Sequence, residues 1–144
     1  MVEPGEELKL VFDKAITDAK KLKHEYITIE HILFSMLCSD NFYNIIKGYG
    51  ADADYIKSNL EHHLKDKCQE LKIEGKFKPK KTQAVERVLN RAFTQVLFAG
   101  RNSIELTDVI LSIMSEKKSI SNFYLEHGGL KKEQFAEYKI GRAH

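Results

Sequence analysis

The chain has 144 residues, of which 42% are hydrophobic and 31% charged, and a formal net charge of +2. This is enough for one domain with a real core, too short for a typical two-domain enzyme, and too nearly neutral to imply a nucleic-acid or membrane partner. No apolar run approaches the roughly 20 residues that span a bilayer, and the N-terminus MVEPGEELKL is acidic, unlike a secretory signal.

Along the chain, residues about 5 to 22 place Leu8, Val11, Phe12, Ala15, Ile16 and Ala19 at helical spacing, predicting a first amphipathic helix. The next stretch, KHEYITIEHILFSML from Lys23 to Leu37, sets His24, Glu25, Glu30 and His31 within eight positions. These are the residue types of a metal site or an acid–base pair. In the zincin pattern H-E-x-x-H, however, two histidines four apart share one helical face. Here they are seven apart, and YIT with a cap at Thr28 is expected to break the helix between them. Thr28 is a good N-cap for a helix through Cys38, with Glu30 and His31 in its first turn. Cys38 lies in the apolar run and is expected in the core. With Cys68 as the only other thiol and no C-x-x-C pair, a reducing cytoplasmic setting fits.

A short helix near 41 to 47 is expected to end at Gly48, and another begins near Asp52 with Tyr55, Ile56, Leu60 and Leu64. His62, His63 and Cys68 are neighbours here, but the adjacent histidines point to different helix faces, which reads as a solvated surface. The segment KDKCQELKIEGKFKPKK, residues 65 to 81, loses the apolar period and reads as an exposed linker. Beyond it come predicted helices from Thr82 to Ala99, from Glu105 to about Glu116, through Leu125, and from about Leu130. Gly100 and Gly128 sit where helix C-caps are expected.

The later elements repeat the earlier ones. A shift of about 77 positions lays ITIEHILFSML over IELTDVILSIM, so that Ile27 meets Ile104, Ile32 meets Val109 and Ser35 meets Ser112. Val11 likewise falls on Val88, Ala15 on Ala92 and Thr17 on Thr94. The second copy has neither histidine, so the apolar positions are the recurring architecture. The chain is therefore expected to be a single all-α domain over 1–139, with repeat one at about 5–64, the linker at 65–81 and repeat two at 82–139. Two repeats of about four helices sharing an apolar face predict a pseudo-twofold bundle. Residues 140–144, ending in GRAH, read as a tail or tag remnant.

Chemistry is weakly signalled. There is no G-x-S-x-G elbow, and Gly75-Lys76 lacks the preceding glycine and the following Ser/Thr of a phosphate-binding loop. No catalytic group, cofactor or metal is expected. A small metal-binding protein or enzyme built on His24, Glu25, Glu30 and His31 is the alternative from another class.

HEYITIEHIL, TQAVERVLNRAFTQVLFAGRN and SIMSEKKSISNFYLEHG resemble the N-terminal domain of the Clp/Hsp100 AAA+ unfoldases over about residues 6 to 139. T-x-E-H at Thr28 to His31 is shared across that family; HEY, ERVLNRA and SEKKS favour the ClpA branch. The resemblance implies a non-catalytic domain that docks adaptors and some substrates for an ATPase ring, which feeds the ClpP peptidase. For the ClpA branch it implies the adaptor ClpS, with contact residues matching Glu25, Thr82 and Arg87. Arg87 is five residues into its helix and is expected to reach toward the other half, or else to pair with Glu86 or Asn90. Lys81 departs from the proline common at that position. A stand-alone relative competing for ClpS, and a direct receptor using an apolar groove between the halves, are the further alternatives.

Overall fold

In the computed structural model, which describes residues 1–67 and 73–142, the first helix, α1 (Glu6–Leu22), buries Leu8, Val11, Ala15 and Ala19. It stops at Lys23, whose φ of 60° turns the chain left-handed. Thr28 then caps α2 (Ile29–Leu37), followed by α3 (Asp40–Tyr49) and α4 (Ala53–His62), with a π-helical turn at His63–Lys67. The second half runs α5 (Gln83–Phe98), α6 (Leu106–Ile113), α7 (Ile120–His127) and α8 (Lys132–Arg142). The all-α class and the duplicated helices are as expected. α8 extends three residues past 139.

The 77-residue register holds at the level of individual hydrogen bonds. Ser35 Oγ donates to the Val11 carbonyl at 2.8 Å, and Ser112 Oγ to the Val88 carbonyl at 2.7 Å. Gly100 repeats the left-handed turn of Lys23, with φ of 72°. Ala15 and Ala92, at matching positions, are both fully buried.

Short parallel strand pairs, which helical periodicity does not announce, hold the halves together. β1 (Glu3–Pro4) pairs with β4 (Ser103–Ile104), and β2 (Tyr26–Ile27) with β3 (Lys80–Lys81). Each half thus lends the residues before its first helix to the connection between the first two helices of the other. In the segment read as an exposed linker, residues 74–76, 78, 80 and 81 are exposed, and this reciprocal exchange fixes its far end. Its end is stitched down, with Pro79 buried and the Ile73 N–H donating to the Lys23 carbonyl at 2.9 Å. The core is continuous across the halves, with Ile56 and Leu60 of α4 in one cluster with Leu125, Leu130 and Phe135.

One turn lies elsewhere than expected. α3 ends at Gly50 (φ 108°), not Gly48; Gly48 is inside the helix, where a Cβ would come 2.8 Å from the Tyr138 hydroxyl. Gly128 is the C-cap of α7, as expected, with an ordinary helical φ, and the left-handed residue is the Gly129 that follows it (φ 90°). Gly128 answers to packing, because a Cβ there would lie 2.5 Å from Ile56 Cγ1. Cys38 is half-buried at the end of α2 rather than in the core, and burial pushes its thiol pKa up.

Glu30 also has a larger role than its place in the first turn of α2 suggests. Its carboxylate accepts from both the Ser121 N–H (3.1 Å) and Ser121 Oγ (2.8 Å), at the start of α7, 91 residues away. A carboxylate there complements the positive end of α7 as well as that of its own helix. Glu30→Ala is expected to cost about 2 kcal/mol in urea unfolding, since it removes charge-assisted bonds and leaves buried Ser121 without this acceptor.

Candidate functional site

The strand pair β2·β3 builds a corner from both halves. The Lys80 N–H donates to the Glu25 carbonyl at 2.9 Å, and the Thr82 N–H to the Ile27 carbonyl at 3.1 Å. Thr82 is the N-cap of α5, and its Oγ1 accepts from the Val85 N–H at 3.2 Å. Two of the three residues singled out from the sequence are therefore brought together by main-chain bonds. Glu25 is half-buried, and its carboxylate makes no hydrogen bond or ion pair among the described residues. Beside it Tyr26 is exposed, and Lys80 and Lys81 are exposed on the facing strand.

Arg87 stands on α5 a turn and a half beyond Thr82. Among the described residues it makes no hydrogen bond or ion pair with the first half, Glu86 or Asn90. Its Nη2 donates instead to Glu116 Oε1 at 2.8 Å, in the connection after α6. Arg91 takes the other oxygen at 2.7 Å. The Arg87 hydrogen bond, seconded by Arg91, holds the Glu116 carboxyl below the usual carboxylate range against the opposing effect of burial. With its side chain still 57% exposed, Arg87 presents an oriented guanidinium to solvent. The sequence does not announce Glu116 as the partner that Arg87 shares with Arg91. The only signal was an isolated acid in SEKKS, and no spacing rule connects it to α5.

The histidines behave differently from the expectation that seven positions keep them apart. His24 and His31 are both buried, and His24 Nδ1 lies 2.9 Å from His31 Nε2. The left-handed turn at Lys23 folds HEY back over the start of α2, so the break in the helix is what brings the rings together. His31 Nδ1 accepts from the Thr28 N–H at 3.0 Å and lies 2.8 Å from its hydroxyl. An amide can only donate, so the neutral ring carries its proton on Nε2 and donates to His24. Burial, then the neighbouring His24 and His63, lower the His31 pKa to about 4. Among the described residues no three His, Cys, Asp or Glu side chains converge as a ligand set, and His62 is exposed against Asp66 at 3.3 Å. Cys68 lies outside the described residues.

The second half solves the same corner with charge. At the positions of His24 and His31 stand Arg101 and Asp108. Asp108 is buried, accepts from Arg101 and the Glu105 N–H (2.9 Å), and takes Lys139 of α8 at 2.7 Å. Burial alone would raise its pKa, but these donors together lower it. Among the described residues no helix is long and apolar enough to cross a membrane.

Fold and site together define a duplicated helical domain whose polar side chains cap helices, tie the halves and face solvent. The chain belongs to the Clp repeat (R) N-terminal domain family, which matches residues 4–127. It is 26% identical over 121 residues to the ClpA homolog protein of Fuscovulum blasticum, covering 83% of this chain but 15% of that relative. The fold is similar to that of the Hsp104 N-terminal domain from Candida albicans, with TM-score 0.78 and 11% identity over 95% of this chain and 91% of that one. It is also similar to a ClpV N-domain in complex with a VipB peptide, with TM-score 0.70 and 16% identity over 90% and 80% of the two chains. In Clp/Hsp100 ATPases this domain binds and performs no chemistry.

Proposed function

We propose that the chain is the adaptor- and substrate-docking domain of a ClpA-like ATP-dependent unfoldase, and that Glu25, Thr82 and Arg87 receive a ClpS-like adaptor. The observation that carries this reading is the β2·β3 link. It places a carboxylate with no partner among the described residues beside the helix start that bears Thr82, with the oriented Arg87 further along the same helix. Carboxylate, lysines and guanidinium make a polar surface on which arginine is the favoured hot spot. The ClpV relative, held with a peptide, supports peptide docking as a use of this fold. Unfolding by the ATPase ring and delivery to ClpP would belong to the rest of such a protein.

Titration calorimetry against a ClpS adaptor should show binding. Arg87→Ala and Glu25→Lys are each expected to weaken it by about tenfold or more while the helical circular dichroism is unchanged. Arg87 is more than half exposed and Arg91 keeps Glu116 partnered, so removing the Arg87 guanidinium costs little stability. No heat of binding at high micromolar adaptor, or two variants that bind as the parent does, would overturn the assignment.

A further inference from the structure

We propose that the groove between α1 and α2 in the first half is a second binding site, which receives an arginine side chain of a partner protein. It involves none of Glu25, Thr82 and Arg87, and it stands whether or not that surface docks an adaptor.

The internal duplication shows what such a groove holds. In the second half, the cleft between α5 and the end of α6 is filled by the chain's own guanidinium. Arg91 Nη1 donates to the Ser112 carbonyl at 2.8 Å and to Ser112 Oγ at 3.2 Å, while its Nη2 and Arg87 share Glu116. The 77-residue shift carries Arg87, Arg91, Ser112 and Glu116 onto Leu10, Lys14, Ser35 and Ser39. Those four residues line an open cavity of about 240 Å³, together with Glu7.

The floor of the cleft is the same in both copies, because Ser35 and Ser112 make the same bond to the helix opposite. The filling is not. Leu10 stands in place of Arg87 and is 67% exposed. Lys14 turns along its own helix to Asp18 at 2.9 Å, with its ammonium 5.5 Å from the centre of the Phe34 ring. The carboxylate has moved to the other wall. Glu7 accepts from Ser39 Oγ at 2.9 Å and Asn41 Nδ2 at 3.2 Å, and it forms no ion pair among the described residues.

The second copy thus has an acid matched by two guanidiniums, and the first has an acid matched by none. Apart from Lys14, whose charge Asp18 answers, and the weakly polar Cys38 thiol, the polar side chains lining the cavity carry oxygens that can accept: Glu7, Ser35 and Ser39. Leu10 offers apolar surface for a methylene stem. A guanidinium suits this set because it is planar, has five donors and no acceptor, and pairs bidentately with a carboxylate. A lysine would bring a compact, strongly hydrated charge, and an acidic side chain would be repelled by Glu7.

The test is amide correlation spectroscopy of the unaltered chain, titrated with acetyl-Gly-Arg-Gly-amide and with its citrulline counterpart, which keeps the shape and removes the charge. The arginine peptide is expected to shift the amides around Glu7, Leu10 and Ser35 to Ser39, and to bind roughly tenfold tighter than the citrulline peptide. Glu7→Gln should weaken it by about the same factor. The double variant Leu10→Arg/Ser39→Glu, which copies the ion pair of the second half into the first, should abolish the shifts with a dispersed spectrum. Equal responses to the two peptides, shifts confined to other surfaces, or no response at millimolar peptide would overturn the proposal. The peptide comparison uses the unaltered chain, so it decides the matter even where a variant fails to fold.

Discussion

Lowering the pH from 7 to 4 is expected to remove about 3 kcal/mol of stability through His31 alone. Its ring is neutral in the folded chain, with a pKa lowered from 6.5 to about 4. Between those values the unfolded chain binds the proton and the folded chain does not. The contribution is therefore complete above about pH 6.5, falls as the pH falls, and is fully lost near pH 4. Protonation at Nδ1 would remove the acceptor for the Thr28 amide and open that side of the helix cap, while Nε2–H still donates to His24. His31→Gln isolates the effect. A glutamine three residues after a threonine N-cap can accept from the same amide but does not titrate. Urea midpoints measured from pH 7 to pH 4 should fall less steeply for the variant. Parallel slopes in the two proteins would show that the loss comes from other groups.

Asp108→Ala is expected to destabilise by about 3 kcal/mol at neutral pH, the scale for removing one partner of a buried ion pair. It would leave Arg101 and Lys139 without their shared carboxylate and the Glu105 N–H without its acceptor. Asp108→Asn keeps an acceptor for that amide while removing the charge, so it should cost about 1 kcal/mol less, the value of a helix cap. Because Lys139 ties α8 to this corner, both variants should speed amide hydrogen exchange in Lys132–Arg142 more than in α1. Unchanged exchange in α8 would mean that Phe135 and Tyr138 hold the helix without help from the charge. The sign for pH is definite. The Asp108 pKa is lowered on folding, so its contribution is present above the unfolded carboxylate value and is lost as the pH falls through the folded one. The two halves are thus sensitive to acid in successive windows, the histidine corner first.

The helices and their pairing by duplication were legible because they rest on local rules that repeat. Leu8, Val11, Ala15 and Ala19 recur at helical spacing, and Thr28, Asp52, Thr82 and Ser119 accept amides of the helices they begin. The 77-residue register rests mainly on apolar positions, with Ser35 over Ser112 and Thr17 over Thr94, and the bonds of Ser35 and Ser112 follow it. The candidate site was legible only through its resemblance to the Clp domains. Nothing in the spacing of Glu25, Thr82 and Arg87 places the first beside the second, or names Glu116 as the partner of the third.

By itself, then, the sequence determined an all-helical duplicated domain, where most of its helices begin, and the family to which it belongs. Periodicity and capping act over three or four residues, so one copy of the chain is enough to read them. The tertiary structure alone decided the exchange of strands, the bond of Glu30 to Ser121 and the meeting of His24 with His31. It also decided that one groove is filled by arginine and its twin left open. The strand exchange and the Glu30 bond join residues tens of positions apart, where no period links the partners. The histidines meet because a left-handed turn reverses the chain between two helices, and the grooves differ because Leu10, Lys14 and Ser39 stand where the second half has Arg87, Arg91 and Glu116.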